Sequence, residues 1–480
     1  LTLRIVVAAA AAGAITQLAV WKLSRLHGGM LYPDGYQYLV MSRGIAENGR
    51  ALFDTGRGGD VLLPNADAAL KPFEPLLVAL LHLGGLGWWD AASIVTAGAA
   101  VGVVLLAGAL TWHVTGSKLF AGSAAALCIA SPSVTWWSAF LGPDAVAPCM
   151  GLAALLAALR GRPQVAGVLA GLAATSRPEY ALAAGVALIG MLIERETRQA
   201  AARGFACALL TVAAVIAVTR PPLGIVDGGQ LAMAGGAVIL AGVAWAMVPR
   251  LAATSWAATV GMTGAIGVAL AAALAGRAEG LHVLASDQPL IIGLVVVGLV
   301  LAAAGERRVL VIRLTLLIGL MLLIYWEKNP ALDRYPTQLL PLAVVPALAG
   351  LARIRRPGAI RVAPLLVAFA TLVLWPPSAP IETDTFRTVA GKLPANGPAL
   401  ISATPDAYSF WLPHRSHRLI VPHARGLFIV DGATRSLTPL RVCGTVLQRV
   451  SSEPGFAPPY AELDIEPAEL VAGAARSRCT

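Results

Sequence analysis

Five short stretches of an otherwise apolar chain hold the residue types that acid–base and phosphate chemistry require. The first opens Tyr32-Pro33-Asp34-Gly35-Tyr36-Gln37-Tyr38 and runs to Asn48-Gly49. Asp34 stands where it can N-cap a helix whose apolar face is Tyr38, Met41 and Ile45, and Asn48-Gly49 would end that helix. One reading is a capping acid on an interfacial helix; the other is a carboxylate poised as a general base. The second stretch, Lys71-Pro72-Phe73-Glu74-Pro75, precedes an apolar run. Lys71 either snorkels toward lipid head groups or offers a point charge to a lipid phosphate. The third, Trp136-Trp137-Ser138-Ala139-Phe140-Leu141-Gly142-Pro143-Asp144, has aromatics suited to an interfacial belt. Asp144 is the one acid between Asp90 and Glu179, either a helix cap or the partner of Asp34 on the same side. The fourth, Ser176-Arg177-Pro178-Glu179-Tyr180, sets an ionisable pair between two short apolar runs, a functional-site pattern in a membrane chain. In the fifth, Asp333-Arg334-Tyr335-Pro336, Arg334 and Tyr335 either clamp an anion or anchor a helix end.

The elements that must position these residues are membrane spans. Hydrophobic residues make up 57% of the 480, charged ones only 13%, and mean hydropathy is +0.73. So few charges cannot clothe a soluble core of this size. Apolar runs of near-bilayer length predict an α-helical polytopic protein of about 13 spans. They fall near 4–21, 89–112, 119–136, 145–159, 164–176, 180–193, 204–219, 230–248, 251–275, 289–304, 309–325, 337–352 and 362–376. The first run continues into Trp21, Lys22 and Arg25 without a small-residue cleavage site, and is expected to be a retained span.

The net charge of +10 is a topology signal. With the N-terminus inside, the inner loops carry 15 cations against three acids, while the outer loops to residue 376 carry 11 against 14. That asymmetry follows the positive-inside rule and expects a multi-pass protein of the cytoplasmic (inner) membrane, C-terminus outside. A nucleic-acid partner is excluded by the same distribution.

Two outer segments are too long for plain connections: residues 26–75 and the tail 377–480. The expected division is a membrane domain over 1–376 and an extracytoplasmic α/β domain over 377–480. In the tail, strand-like runs occur at Ala399–Ser402, Leu419–Val421, Leu427–Val430 and Val442–Leu447, with a helical stretch near Thr385–Leu393. Cys128, Cys149 and Cys207 read as small apolar residues, whereas Cys443 and Cys479 are candidates for a disulfide outside the membrane. His414, His417 and His423 cluster without metal-site spacing.

In order and on one face, Asp34-Gly35-Tyr36, Lys71 through Pro75, Asp144, Arg177-Pro178-Glu179 and Arg334-Tyr335-Pro336 resemble the motif series of the GT-C superfamily of polytopic membrane glycosyltransferases. The resemblance covers about residues 1–350. It implies a polyprenyl-phosphate-linked sugar as donor and transfer to a hydroxyl of a glycan, lipid or protein acceptor, with inversion. It further implies catalytic roles for Asp34 and Asp144, donor-phosphate binding by Lys71, Arg177 and Arg334, and a substrate pocket with Tyr38, Glu179 and Tyr335. Gly35 follows Asp34 where many members carry a second acid, which leaves the divalent metal and the acceptor class undetermined.

Two rivals share parts of this pattern. A secondary transporter would place ionisable residues at mid-bilayer, yet nearly all acids here fall in outer loops. A lipid-carrier-dependent polysaccharide polymerase or ligase shares the topology but has no need of an early Asp-Tyr helix.

Overall fold

The structure is a computed structural model that describes residues 33–51, 71–138, 140–193, 197–221, 286–303, 334–352 and 359–375, with isolated positions at 13 and between 309 and 321. In the tail it describes 400–402, 410–412, 417–423, 426–430, 437–439, 446–450 and 462–465. The chain packs as two compact units. The first comprises Leu1–Leu26, Ser93–Val215 and Asp227–Pro380; the second comprises His27–Ala92, Ile216–Val226 and Ile381–Thr480.

Twelve helices are described: α1 (Pro33–Asn48), α2 (Phe73–Leu83), α3 (Trp88–Thr115), α4 (Lys118–Ala130), α5 (Pro132–Ser138), α6 (Pro143–Leu159), α7 (Pro163–Ala174), α8 (Pro178–Ile193), α9 (Arg198–Thr219), α10 (Pro289–Ala303), α11 (Arg334–Leu351) and α12 (Ala359–Leu374). Six of them begin at proline. The ring presets a helical φ, and the N–H it lacks would have no acceptor in the first turn. These helices lie on nine of the expected spans, on the helix expected from Asp34 and on the apolar run after Pro75. The expected spans 4–21, 230–248, 251–275 and 309–325 fall wholly or largely outside the described residues. Helices α3 and α9 are each long and apolar enough to cross a bilayer.

One expected span is two helices. The run 119–136 breaks at Ser131, whose backbone is extended (φ −70, ψ 113). The following Pro132 disfavours a helical conformation there. Ser131 closes α4 through its N–H to the Leu127 carbonyl (3.0 Å) and caps α5, its Oγ accepting from the Val134 N–H (3.2 Å).

Small residues let the helices of the first unit approach closely. On α7, Gly167 and Gly171 stand one turn apart against α9. A Cβ at Gly167 would collide with the Gly204 carbonyl, and one at Gly171 would come within 2.7 Å of the Ala208 carbonyl. Gly298 of α10 meets Ala347 of α11 in the same way. Such small-residue seams are how helices gain packing where lipid removes the hydrophobic drive between them. Outward faces are apolar: Leu209 and Leu210 on α9, and Leu366 and Phe369 on α12, are all exposed. A lipid solvent accommodates these faces; water would not. Hydroxyls within the helices return to the carbonyl one turn back, as Thr115 does to Thr111 (2.7 Å), Thr211 to Cys207 (2.8 Å) and Thr371 to Val367 (2.8 Å).

In the second unit, α2 packs on α1 through the face the sequence singles out: Tyr38, Met41 and Ile45 form one apolar cluster with Ala51 and Ala79. Gly49, at φ 63, ends α1 as expected, its N–H on the Ile45 carbonyl (3.0 Å). The start of α1 differs from expectation. The helix begins at Pro33, which puts Asp34 inside the first turn and not at the N-cap.

The tail contributes strands β1 (Leu400–Ser402), β2 (His417–His423), β3 (Gly426–Val430), β4 (Leu437–Pro439), β5 (Val446–Val450) and β6 (Glu462–Ile465). A four-stranded sheet has the order β1-β2-β3-β4, and β5 pairs with β6. β1 and β2 are parallel, with Leu400 opposite His417, while β2–β3 and β3–β4 are antiparallel. The stretch near Thr385–Leu393, Cys443 and Cys479, and the side chains of the histidine cluster lie outside the described residues.

Candidate active site

In the first unit, three of the expected site residues meet. Asp144 and Glu179 are each the second residue of a helix, α6 and α8, and each follows a proline. Gly142 feeds α6 at φ 148, ψ −173, a conformation essentially restricted to glycine. Pro148 has no N–H to offer the Asp144 carbonyl four residues back, which loosens the first turn there. Helices α6 and α8 approach closely at Gly151, where a Cβ would come 3.1 Å from the Tyr180 carbonyl. That approach brings the two N-terminal carboxylates to one guanidinium. Arg177 Nη2 pairs with Asp144 Oδ1, and Arg177 Nη1 donates to Glu179 Oε1 at 3.3 Å. All three are buried, at 3%, 2% and 4% exposure for Asp144, Arg177 and Glu179.

The charges of this cluster balance through the backbone. Two carboxylates face one guanidinium, and each carboxylate sits at a helix N-terminus equivalent to about +0.5 charge. Two termini and one arginine therefore act together on two acids in a place where an unpaired charge would be expensive. The ionisable pair of the fourth stretch is thus an ion pair, and Arg177 serves Asp144 as well.

Nearby in sequence, the expectation of an aromatic belt fails for two residues. Trp137 and Phe140 are buried and stacked, ring centroids 4.8 Å apart. Their side chains are enclosed by protein and do not face outward. A polar contact that the sequence did not mark joins Ser131 to Gln288, with the Ser131 Oγ donating to Gln288 Oε1 (2.5 Å), both side chains fully buried. The available signal was that each stands immediately before a helix-opening proline. Arg334 and Tyr335 open α11; their side chains lie outside the described residues.

In the second unit, Asp34 is carried by the first turn of α1, and its side chain is likewise outside the described residues. Lys71 is 7% exposed and Glu74 1%, at the start of α2, so Lys71 is enclosed by protein. Tyr38, expected in a sugar pocket, is 4% exposed within the α1–α2 cluster. Two turns of α1 also meet the tail. The Trp411 indole N–H donates to the Tyr36 hydroxyl (2.8 Å), the Arg43 guanidinium donates to the Phe410 carbonyl (3.3 Å), and the Tyr36 and Phe410 rings lie 5.8 Å apart.

Cys128 and Cys149 are buried and free, in keeping with their reading as small apolar residues; Cys149 fills the notch left by Gly102. Among the described residues, no three His, Cys, Asp or Glu side chains group as metal ligands.

No protein-family model matches the sequence, and no curated protein matches it either. Solved structures do. The apo oligosaccharyltransferase of Archaeoglobus fulgidus is similar over 87% of this chain at 12% identity, with a TM-score of 0.55. The chain spans 64% of the length of that protein. ArnT from Cupriavidus metallidurans matches in its apo state over 85% of this chain and 84% of its own, at 17% identity and a TM-score of 0.41. The same protein bound to undecaprenyl phosphate matches over 85% of each chain, at 17% identity and a TM-score of 0.38. The chain shares its helical fold with that oligosaccharyltransferase, the kind of fold its ordered motifs led us to expect.

Proposed function

We propose that the protein is a membrane glycosyltransferase that moves a sugar from a polyprenyl-phosphate-linked donor to an acceptor hydroxyl on the extracytoplasmic face, with inversion. The observation that carries the reading is the buried Asp144–Arg177–Glu179 cluster at two helix N-termini, within a fold shared with an oligosaccharyltransferase. Fold alone does not specify chemistry. Ionisable side chains buried at helix ends of an apolar bundle are maintained at a cost that a functional site explains.

In this reading the acceptor oxygen attacks the anomeric carbon as the bond from that carbon to the phosphate oxygen breaks. Asp34 takes the hydroxyl proton, and polyprenyl phosphate departs with the bonding electrons. Lys71 and Arg334 meet the charge that develops on the leaving phosphate. Arg177, placed with them on sequence grounds, is assigned here to Asp144 and Glu179. Asp144, so held, orients the acceptor, and Tyr335 lines the sugar pocket. We assign no divalent metal to Asp144 and Glu179, because Arg177 already engages both carboxylates. The N-terminus lies in the cytoplasm, with residues 26–75 and an extracytoplasmic α/β domain at 377–480 on the opposite side of the inner membrane. The bilayer, the lipid-linked donor and a glycan, lipid or protein acceptor are the partners.

The test uses the full chain in liposomes with a panel of synthetic polyprenyl-phosphate hexoses and pentoses and an envelope extract as acceptor source. Release of polyprenyl phosphate coupled to sugar transfer is expected, with Asp34→Asn reducing it by roughly 10²–10⁴-fold. Wild-type transfer by Asp34→Asn would remove the base assignment, and no transfer from any donor would remove the enzyme reading.

A further inference from the structure

The tail raises a question that the transferase reading leaves open: what 410–412 does against the helix that carries Asp34. β1 and β2 run parallel, so the chain between them must cross over, and Phe410, Trp411 and Leu412 lie in that crossover. These residues reach α1 at two points. Trp411 Nε1–H donates to the Tyr36 hydroxyl (2.8 Å), and Arg43 donates to the Phe410 carbonyl (3.3 Å). Tyr36 is fully buried and Arg43 9% exposed.

Helical geometry gives the two contacts their meaning. Tyr36 and Arg43 are seven residues apart, so they share one face of α1, about 10 Å apart along its axis. At about 100° per residue, that face lies nearly opposite the one formed by Tyr38, Met41 and Ile45, which packs on α2. Helix α1 is thus held from both sides, by α2 on one and by the crossover on the other. The hold matters most at the N-terminal end. The first turn of a helix receives no intrahelical bonds to its N–H groups and frays unless something outside secures it. Tyr36 is in that turn, two residues beyond Asp34.

We propose that Phe410 and Trp411 are positioning residues that fix the first turn of α1, and with it the backbone from which Asp34 projects. The catalytic consequence rests on the transferase reading above; the structural hold does not. A docked aromatic pair, not a carbohydrate-binding face, is then the task of this part of the tail.

Trp411→Phe and Tyr36→Phe each delete one half of the hydrogen bond while keeping an aromatic ring. In the full chain, hydrogen exchange at amides 35–38 is expected to rise at least fivefold in either variant, with exchange across α2 unchanged. In the transfer assay, kcat should fall about fivefold in each variant with donor KM within twofold. The loss in the double variant should fall short of the product of the two single losses, since both remove the same bond. Unchanged exchange at 35–38 would overturn the hold. Raised exchange with wild-type kcat would overturn the positioning role, and independent, additive losses would overturn the shared bond. If the wild-type protein transfers no sugar, the transferase reading fails while the exchange measurement still decides the hold.

Discussion

Replacing Arg177 by alanine removes a guanidinium that pairs with two buried carboxylates. At 3.3 Å and an effective dielectric near 20, the Arg177–Glu179 attraction is about 5 kcal/mol before desolvation is counted. Bringing the ions out of water consumes most of that, so the net worth of the cluster is small. Breaking it is another matter. Asp144 and Glu179 stay buried without the guanidinium that pairs with both, and loss of one partner from such a pair costs about 3–5 kcal/mol. That is roughly two to four orders of magnitude in the folded-to-unfolded ratio. Denaturant unfolding in mixed micelles measures it. The diagnostic comparison is Arg177→Ala alone against the same change combined with Asp144→Asn and Glu179→Gln. Neutral amides remove the uncompensated charge, so the triple variant is expected to recover about 2 kcal/mol or more. Arg177→Lys, which keeps the charge and loses the planar fork, should lie between wild type and alanine. A loss under about 1 kcal/mol for Arg177→Ala, or a triple variant no more stable than the single one, would refute the charge balance argued here.

Two further outcomes follow from the backbone. Gly142→Ala places a Cβ on a conformation restricted to glycine and should cost about 1–3 kcal/mol in the same unfolding measurement, while Gly161→Ala, in an open turn, serves as a milder control. Gly167→Ile would force α7 from α9 at the Gly204 carbonyl, and a fall in thermal stability in detergent is expected, larger than for Val168→Ile on the exposed side of the same helix.

Much of this was legible because the signals are local. Proline at N1 marks where helices begin, as at Pro143, Pro163, Pro178 and Pro289, and the periodicity of Tyr38, Met41 and Ile45 marks the face that packs. Three of the strand-like runs coincide with β1, β2 and β3, and the fourth overlaps the start of β5. The places where expectation and structure part are those where two local rules competed. Hydropathy carried one span through Ser131, but the proline after it imposed an extended residue. Asp34 had the chemistry of an N-cap, but Pro33 before it was the better first residue of the helix. Trp137 had the composition of an interfacial anchor, but in the fold it is buried and stacked on Phe140.

Composition and short-range pattern were enough to read a membrane chain built of helices and to pick out the few polar residues that stand against the apolar background. Those properties follow from composition and from periods of a few residues, and need no knowledge of distant neighbours. Only the tertiary structure decided that Arg177 is shared by Asp144 and Glu179, and that Trp411 reaches Tyr36 across 375 residues of chain. Both depend on the packing of separate elements. A guanidinium or an indole N–H satisfies whichever buried acceptor the fold brings within about 3 Å, and sequence spacing carries no record of that distance.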